Sequence, residues 1–219
     1  MVFRSNVQVQ QRFTAGMLAI TLANLLFTPA IGEQIVDPAT RFAGANTSDI
    51  LQHLLTVLTG YVWVLSAAGD RWSHERVWCW RGFALLTAVA MVVTYVISDG
   101  WRTAAEEYEL QDPASLVHGW LVAIYIVATF ALICGYSIAA LREPGVDLRT
   151  SQYLLVLLGG VGVVVGATSA VLLAADPAWL AQHYHRIAET GAISGLLILA
   201  VVGLYGLTAK WSRRNDPRS

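Results

Sequence analysis

The chain has 219 residues, of which 56% are hydrophobic and only 13% are charged, whereas a soluble domain carries about 25% charged residues. This composition excludes an ordinary soluble globular domain and predicts a protein whose surface mostly faces lipid. The formal net charge is −1, so nothing in the charge balance indicates a nucleic-acid partner.

Six apolar runs are long enough to cross a bilayer as helices, which takes about 20 residues each. We therefore predict an all-α polytopic membrane protein, a bundle of six transmembrane helices that forms a single domain over residues 1–219. The six runs are Phe13–Ile31, Ile50–Ala68, Gly82–Ser98, Leu116–Leu141, Gln152–Ala174 and Glu189–Thr208.

The basic residues predict the orientation of this bundle, because Lys and Arg concentrate in cytoplasmic loops. The loops on one side, which also hold both termini, contain Arg4, Arg12, Arg71, Arg76, Arg81, Arg142, Arg149, Lys210, Arg213, Arg214 and Arg218. The other side has only Arg41, Arg102 and Arg186. We therefore predict that both termini are cytoplasmic and that the protein lies in the cell membrane.

The second run brings polar chemistry into an apolar helix. Ser48 precedes the run and suits an N-cap, since its oxygen can accept a hydrogen bond from the first open N–H groups. Asp49 would then lie in the first turn, where a negative charge suits the helix dipole. His53 follows four residues later, which places Asp49 and His53 on one face.

Histidines mark the outer ends of three predicted helices. His53 and His118 each lie close to the outer start of a helix, and the sixth helix would begin with His185 and Glu189. We predict that these residues and Asp49 converge at the outer mouth of the bundle as a ligand-binding site. The two rings of His53 and His118 should then lie within one intervening residue or water of each other.

Two cofactors are compatible with these side chains, although having no cofactor is the simpler alternative. His183, His185 and Glu189 are candidate zinc ligands, the alternative being that they are solvated residues of a polar loop. His53 and His118 could be the axial ligands of a haem. The chain contains no phosphate loop, G-x-S-x-G or H-E-x-x-H motif, so we predict no catalytic residues.

The middle of the predicted spans is polar only through small residues. No Asp, Glu, Lys or Arg lies there, although proton pumps and many coupled transporters place such charges at this depth. We expect the polar residues to form interhelical hydrogen bonds. They are Thr21, Asn24, Thr56, Thr59, Thr87, Thr94, Thr129, Thr168, Ser169 and Ser194.

Glycine pairs line the last two predicted helices. Gly162 and Gly166 are spaced by four residues in the fifth helix, and Gly191 and Gly195 repeat this spacing in the sixth. Such small-residue faces let helix backbones approach closely. They predict packing of these two helices against each other, with homodimerisation as the alternative.

A nine-residue pattern, Gln-x-Leu-Leu-x-x-Leu-x-Gly, occurs at 52–60 and again at 152–160. The second and fifth helices would run in opposite directions, and inverted repeats are typical of transporters. The alternative is coincidence in a leucine-rich sequence.

Between Leu22 and Leu141 the order of features resembles a group of actinobacterial multi-spanning membrane proteins, some of them labelled transporters. The segment 25–30 closes a helix, the segment 51–55 opens the next, and an arginine-bearing inner loop follows. The arginines are Arg71, Arg76 and Arg81. The resemblance implies a membrane fold and a role in transport or signalling.

The functional prediction from sequence is a small-molecule transporter or transport accessory. One alternative is a non-catalytic membrane sensor or regulatory module that reads pH, a cation or a ligand at its acidic, histidine-bearing outer face. A second alternative is a haem- or metal-binding redox or hydrolytic membrane protein. The expected partners are the lipid bilayer and a second copy of the chain.

Overall fold

The computed structural model describes residues 2–26, 28, 30–102, 112–142 and 149–180, and the single positions 183, 186, 187, 190, 193, 197, 198, 200, 201 and 204. Over these residues the chain is helical and has no strand, which confirms the all-α prediction. The long helices are α1 (Val2–Leu26), α2 (Thr47–Ala68), α3 (His74–Ile97), α4 (Pro113–Leu141) and α5 (Arg149–Ala175).

Four helices are long and apolar enough to span a membrane, namely α2, α3, α4 and the Gln152–Ala175 part of α5. They coincide with the predicted spans 50–68, 82–98, 116–141 and 152–174. In α1 the apolar part is shorter, Thr14–Leu26. The predicted sixth span, 189–208, falls mostly outside the described residues, so the count of six and the orientation of the termini stay predictions.

The first helix ends five residues before the predicted end at Ile31. At this end the N–H of Thr28 donates to the carbonyl of Leu25 (3.1 Å), three residues back, and the Thr28 hydroxyl donates to the carbonyl of Asn24 (3.1 Å). Pro29 follows and has no N–H to continue the helical ladder. A π-helical turn (Gly32–Val36), a short helix (Asp37–Ala39) and a 3₁₀ turn (Arg41–Ala43) then lead to α2. We call residues 32–43 the outer segment.

The cap of α2 is not the one predicted. The helix begins at Thr47, and its N-cap Asn46 makes no side-chain capping hydrogen bond. Ser48 therefore lies inside the first turn, together with Asp49 as expected. The carboxylate of Asp37, in the outer segment, accepts hydrogen bonds from the Ser48 N–H (2.7 Å) and hydroxyl (2.9 Å). A residue eleven positions away thus replaces the local cap.

The core lies between α2, α3 and α4. At its centre Tyr125 of α4 stacks on Trp80 of α3, with ring centroids 5.7 Å apart and an interplanar angle of 17°. The Tyr125 hydroxyl donates to the Val57 carbonyl of α2 (2.7 Å). Beside this contact, a Cβ on Gly60 would lie only 2.8 Å from Tyr125 Cε1 and from Thr129 Oγ1. Glycine therefore allows the close approach of α2 and α4.

Glycines also shape the outer two interfaces. α1 packs on α2 where Gly16 meets the Trp63 ring, which leaves no room for a Cβ at this position. α5 packs on α4, because Gly162 lies against the Phe130 ring and Gly166 against Val127 and its neighbours. Gly162 and Gly166 thus lie at the interface of α5 with the preceding helix α4, and their predicted packing against the sixth helix involves residues outside the described part of the chain and stays a prediction. Gly191 and Gly195 lie outside the described residues.

The hydroxyl groups within the helices mostly bond to their own backbone. Each donates to the carbonyl four residues earlier, at 2.8–3.0 Å, which is the usual alternative to a partner on another helix. The residues are Thr21, Thr56, Thr59, Ser66, Thr87 and Thr94. Two of the predicted residues also reach another helix, because the Thr59 hydroxyl lies 3.5 Å from the Gly16 carbonyl of α1 and the Thr94 hydroxyl lies 3.0 Å from His118 Nδ1 of α4.

Candidate functional site

Two buried histidines join α2 to α4. His118 Nε2 lies 2.9 Å from His53 Nδ1, within hydrogen-bonding distance, and the ring centroids are 5.0 Å apart. His118 is 0% exposed and His53 is 5% exposed. The predicted proximity of the two rings is therefore found, and it is a direct hydrogen bond with no bridging group. We call these two residues the histidine pair.

The third helix holds the inner ring of the histidine pair. His118 Nδ1 lies 3.0 Å from the Thr94 hydroxyl and 3.1 Å from the Met91 carbonyl, both on α3. The Thr94 hydroxyl itself lies within hydrogen-bonding distance of the carbonyls of Ala90 (2.9 Å) and Met91 (3.0 Å). The pair therefore connects α2, α3 and α4 in one chain of hydrogen bonds.

The positions of the three groups along their helices explain why they meet. His53 and His118 lie six and five residues after the first residue of α2 and α4, and Thr94 lies three residues before the end of α3. At a rise of 1.5 Å per residue, these offsets correspond to depths of about 5–9 Å. Thr94 was not predicted as a site residue, although its distance from the outer end of α3 was a usable signal.

A second polar group lies at the start of α4. Asp112 caps this helix by accepting from the N–H groups of Ala114 (2.9 Å) and Ser115 (3.1 Å), from the Ser115 hydroxyl (2.5 Å) and, across the connection, from the Asp99 N–H (3.4 Å). Burial raises the pKa of the Asp112 carboxyl, but these hydrogen bonds outweigh it. The pKa therefore lies below its ordinary value of 3.8.

Of the other predicted site residues, only some lie in the described part of the chain. Asp49 lies one turn before His53, partly exposed. His185 and Glu189 lie outside the described residues, so the convergence of all five residues stays a prediction. The His183 ring stacks on Trp179 (4.1 Å, 10°), and its Nδ1 lies 2.9 Å from the Trp179 carbonyl. Within the described part of the chain, no three His, Cys, Asp or Glu residues form a metal-binding group.

The geometry of the histidine pair does not fit axial ligation of a haem. Iron between two imidazole nitrogens would need them about 4 Å apart, if each metal–nitrogen bond is ~2.0 Å, as for zinc. The facing nitrogens of His53 and His118 are 2.9 Å apart. They already form a hydrogen bond, and a macrocycle cannot enter between rings in direct contact.

The two copies of the nine-residue pattern occupy different surroundings. Leu58 is 48% exposed, whereas its counterpart Leu158 is 3% exposed. Gly60 is tightly packed against α4, whereas a Cβ on Gly160 would meet nothing within 4 Å. These differences favour coincidence over an inverted structural repeat.

The fold and the site together define a class. The protein is all-helical over the described residues, with four helices long and apolar enough to cross a bilayer, and this architecture is compatible with an integral membrane protein. Comparison of the chain with protein-family models, curated proteins and solved structures gives no match.

Proposed function

We propose that this chain is a cell-membrane protein of six transmembrane helices, with both termini in the cytoplasm, that senses protons at its outer face. The histidine pair is the sensing element. The observation that carries the proposal is the direct hydrogen bond between two buried imidazoles. Histidine is the side chain that changes charge near physiological pH, and a charge gained there would affect three helices at once.

Sensing is favoured over transport by three features of the site. The pair is enclosed by packed helices, with His118 completely buried. The described membrane-spanning segments have no Asp, Glu, Lys or Arg at mid-depth that would continue a proton path. The repeated pattern, one of the sequence arguments for a transporter, lies in two different environments. A single bundle suffices for sensing, so this function requires no second copy.

Cysteine labelling tests the proposed topology. Single cysteines at Ala45, Thr103 and Gln182 should react with an impermeant thiol reagent in intact cells, and a cysteine at Asn215 should not. The native thiols at Cys79 and Cys134 are first replaced by alanine. Reaction at Asn215 would refute the orientation.

A fluorophore near the inner end of α3 tests whether the protein responds to outer pH. Cys79 is exposed near the start of α3 and can carry an environment-sensitive dye after Cys134→Ala. In proteoliposomes, acidifying only the outer face from pH 8 to pH 5 should change the dye emission. The change should disappear in His118→Phe, which keeps a ring and removes both nitrogens.

The control is His74→Phe, because His74 is an exposed histidine at the opposite end of α3. This variant should retain the full response to outer pH. Dye emission that does not change with outer pH, or that changes equally in His118→Phe, would refute the sensing function. Substrate-dependent flux through the same vesicles would favour transport instead.

A further inference from the structure

The inner end of α3 presents a cation and an aromatic ring on its exposed side. The Arg81 side chain is exposed, and its guanidinium carbon lies 4.9 Å from the centroid of the Trp78 ring, which is 52% exposed. This distance is typical of a cation–π pair, which holds the guanidinium over the ring. Because the indole N–H donates to His74 Nε2, the guanidinium supplies the donors of this pair for an outside ligand.

The depth of Arg81 along α3 places its guanidinium at the level of the lipid headgroups. The hydrocarbon core is about 30 Å thick, which corresponds to about 20 residues of helix. Counted back from Ile97, the last residue of α3, this length ends at Trp78, so Arg81 begins about one turn inside the hydrocarbon edge. Helical side chains tilt towards the helix N-terminus, which is the inner end of α3. The long Arg81 side chain therefore reaches back to the headgroups.

The charge of Arg81 has no compensating carboxylate within the described part of the chain, where its side chain contacts the Trp78 ring instead. Glu75, the only acidic residue of α3, lies six residues earlier and about 120° away around the helix. A cation at the edge of the hydrocarbon is costly unless an anion or water compensates it. The phosphates of the lipid headgroups are the anions that lie at this level of a bilayer.

An apolar recess continues from this cation towards the middle of the bilayer. Gly82 has no side chain, and a Cβ there would meet nothing within 4 Å. Trp78 and Leu86 lie four residues before and after it on the same face, and Leu86 and its neighbour Leu85 are 69% and 63% exposed. Such a recess between large side chains fits a hydrocarbon chain. The complete surface therefore matches a phosphate joined to an acyl chain, and not a free phosphate ion.

We propose that Arg81 and Trp78 bind the phosphate of an anionic phospholipid at the inner end of α3, with one acyl chain over Gly82. The guanidinium fork donates to two phosphate oxygens, and the Trp78 ring holds it in place. An anionic headgroup is favoured over a zwitterionic one, because the loops predicted on this side carry eleven basic residues against five acidic ones. The acidic residues are Asp70, Glu75, Glu143, Asp147 and Asp216.

The test is native mass spectrometry of the full chain in detergent, titrated with phosphatidylglycerol or with phosphatidylcholine of the same acyl chains. The wild type should bind one phosphatidylglycerol more tightly than one phosphatidylcholine. Arg81→Gln should weaken the binding of phosphatidylglycerol about fivefold, the change expected for one basic residue at an anionic surface. The matched control is Arg76→Gln, which removes the same charge from an exposed position about 140° away around α3. This variant should bind phosphatidylglycerol like the wild type.

A substitution in the recess provides a second readout that leaves all charges in place. Gly82→Phe puts a ring where the acyl chain would lie, and the fold should tolerate it because a Cβ at Gly82 meets nothing within 4 Å. We expect the thermal midpoint in phosphatidylcholine nanodiscs to be no lower than that of the wild type. The binding of phosphatidylglycerol should nevertheless weaken, as in Arg81→Gln.

Three results would overturn the proposal. Equal weakening in Arg81→Gln and Arg76→Gln would mean that overall charge attracts the lipid without a site at Arg81. Equal binding of phosphatidylglycerol and phosphatidylcholine by the wild type would exclude selection of an anionic headgroup. Displacement of the bound lipid by inorganic phosphate would mean that the acyl chain contributes nothing. None of these measurements involves the histidine pair, so they remain decisive whether or not the protein senses protons.

Discussion

Replacing Gly60 by alanine tests whether the close contact of α2 with α4 shapes the bundle. The new Cβ would lie 2.8 Å from Thr129 Oγ1 and from Tyr125 Cε1, whereas ordinary contacts begin at 3.4 Å. The two helices must therefore separate by roughly 0.6 Å, the difference between these distances. Overpacking of this kind costs about 1–3 kcal/mol, and the better helix propensity of alanine returns about 0.5–1 kcal/mol.

The matched control is Gly160→Ala, in the second copy of the nine-residue pattern. A Cβ there meets nothing within 4 Å, so the variant should keep only the gain of about 0.5–1 kcal/mol. The gain from the helix propensity of alanine is the same in both variants. The difference between their free energies of unfolding therefore measures the overpacking cost at Gly60. For a chain of this size 1 kcal/mol corresponds to about 2–4 °C.

Thermal unfolding of both variants in nanodiscs, followed by circular dichroism, measures this difference. Gly60→Ala should unfold at least about 2 °C below Gly160→Ala. Equal midpoints would mean that α2 and α4 are not in close contact at Gly60, and the packing described for the core would be wrong.

Two further predictions concern the outer caps. Asp37→Ala should lower the free energy of unfolding by about 0.5–2 kcal/mol, the usual value of a helix cap, because Ser48 loses both of its acceptors. Asp37→Asn keeps one acceptor oxygen and should lower it less. Equal losses in the two variants would exclude the capping role. Because the pKa of Asp112 is lower in the folded protein, its ionised carboxylate stabilises the fold fully above the ordinary pKa of 3.8. This contribution is lost as the pH falls through the folded-state pKa. The difference in thermal midpoint between the wild type and Asp112→Asn should therefore shrink between pH 5 and pH 3. A difference that stays constant would contradict the lowered pKa of Asp112.

The sequence located the four apolar spans well but placed several of their ends wrongly. The third helix begins at His74, eight residues before the apolar run that predicted it, because Ser73 caps it and a polar first turn precedes the lipid-facing part. Hydrophobic runs report the part of a helix in lipid, whereas caps decide where the helix begins. The cap of α2 could not be predicted, since Asp37 is distant in sequence and reaches Ser48 only through the folded outer segment.

The contact between His53 and His118 could be predicted because depth in a bilayer follows from counting residues along each helix. The contacts that surround the pair could not. The Met91 carbonyl, which lies 3.1 Å from His118 Nδ1, is a backbone atom that has no signature in the sequence. The glycines show the same limit, because the spacing of Gly162 and Gly166 predicts a packed face but not which helix it meets.

The hydroxyl groups that bond to carbonyls of their own helix have a consequence for how the protein inserts into the membrane. A helix whose threonines already bond to its own carbonyls can enter the bilayer before its neighbours exist. The histidine pair is different, since His118 is synthesised 65 residues after His53. At about 5–20 residues per second, the bond between them can form only some 3–13 s after His53 leaves the ribosome. The second helix therefore inserts first and gains its link to the fourth only when that helix arrives.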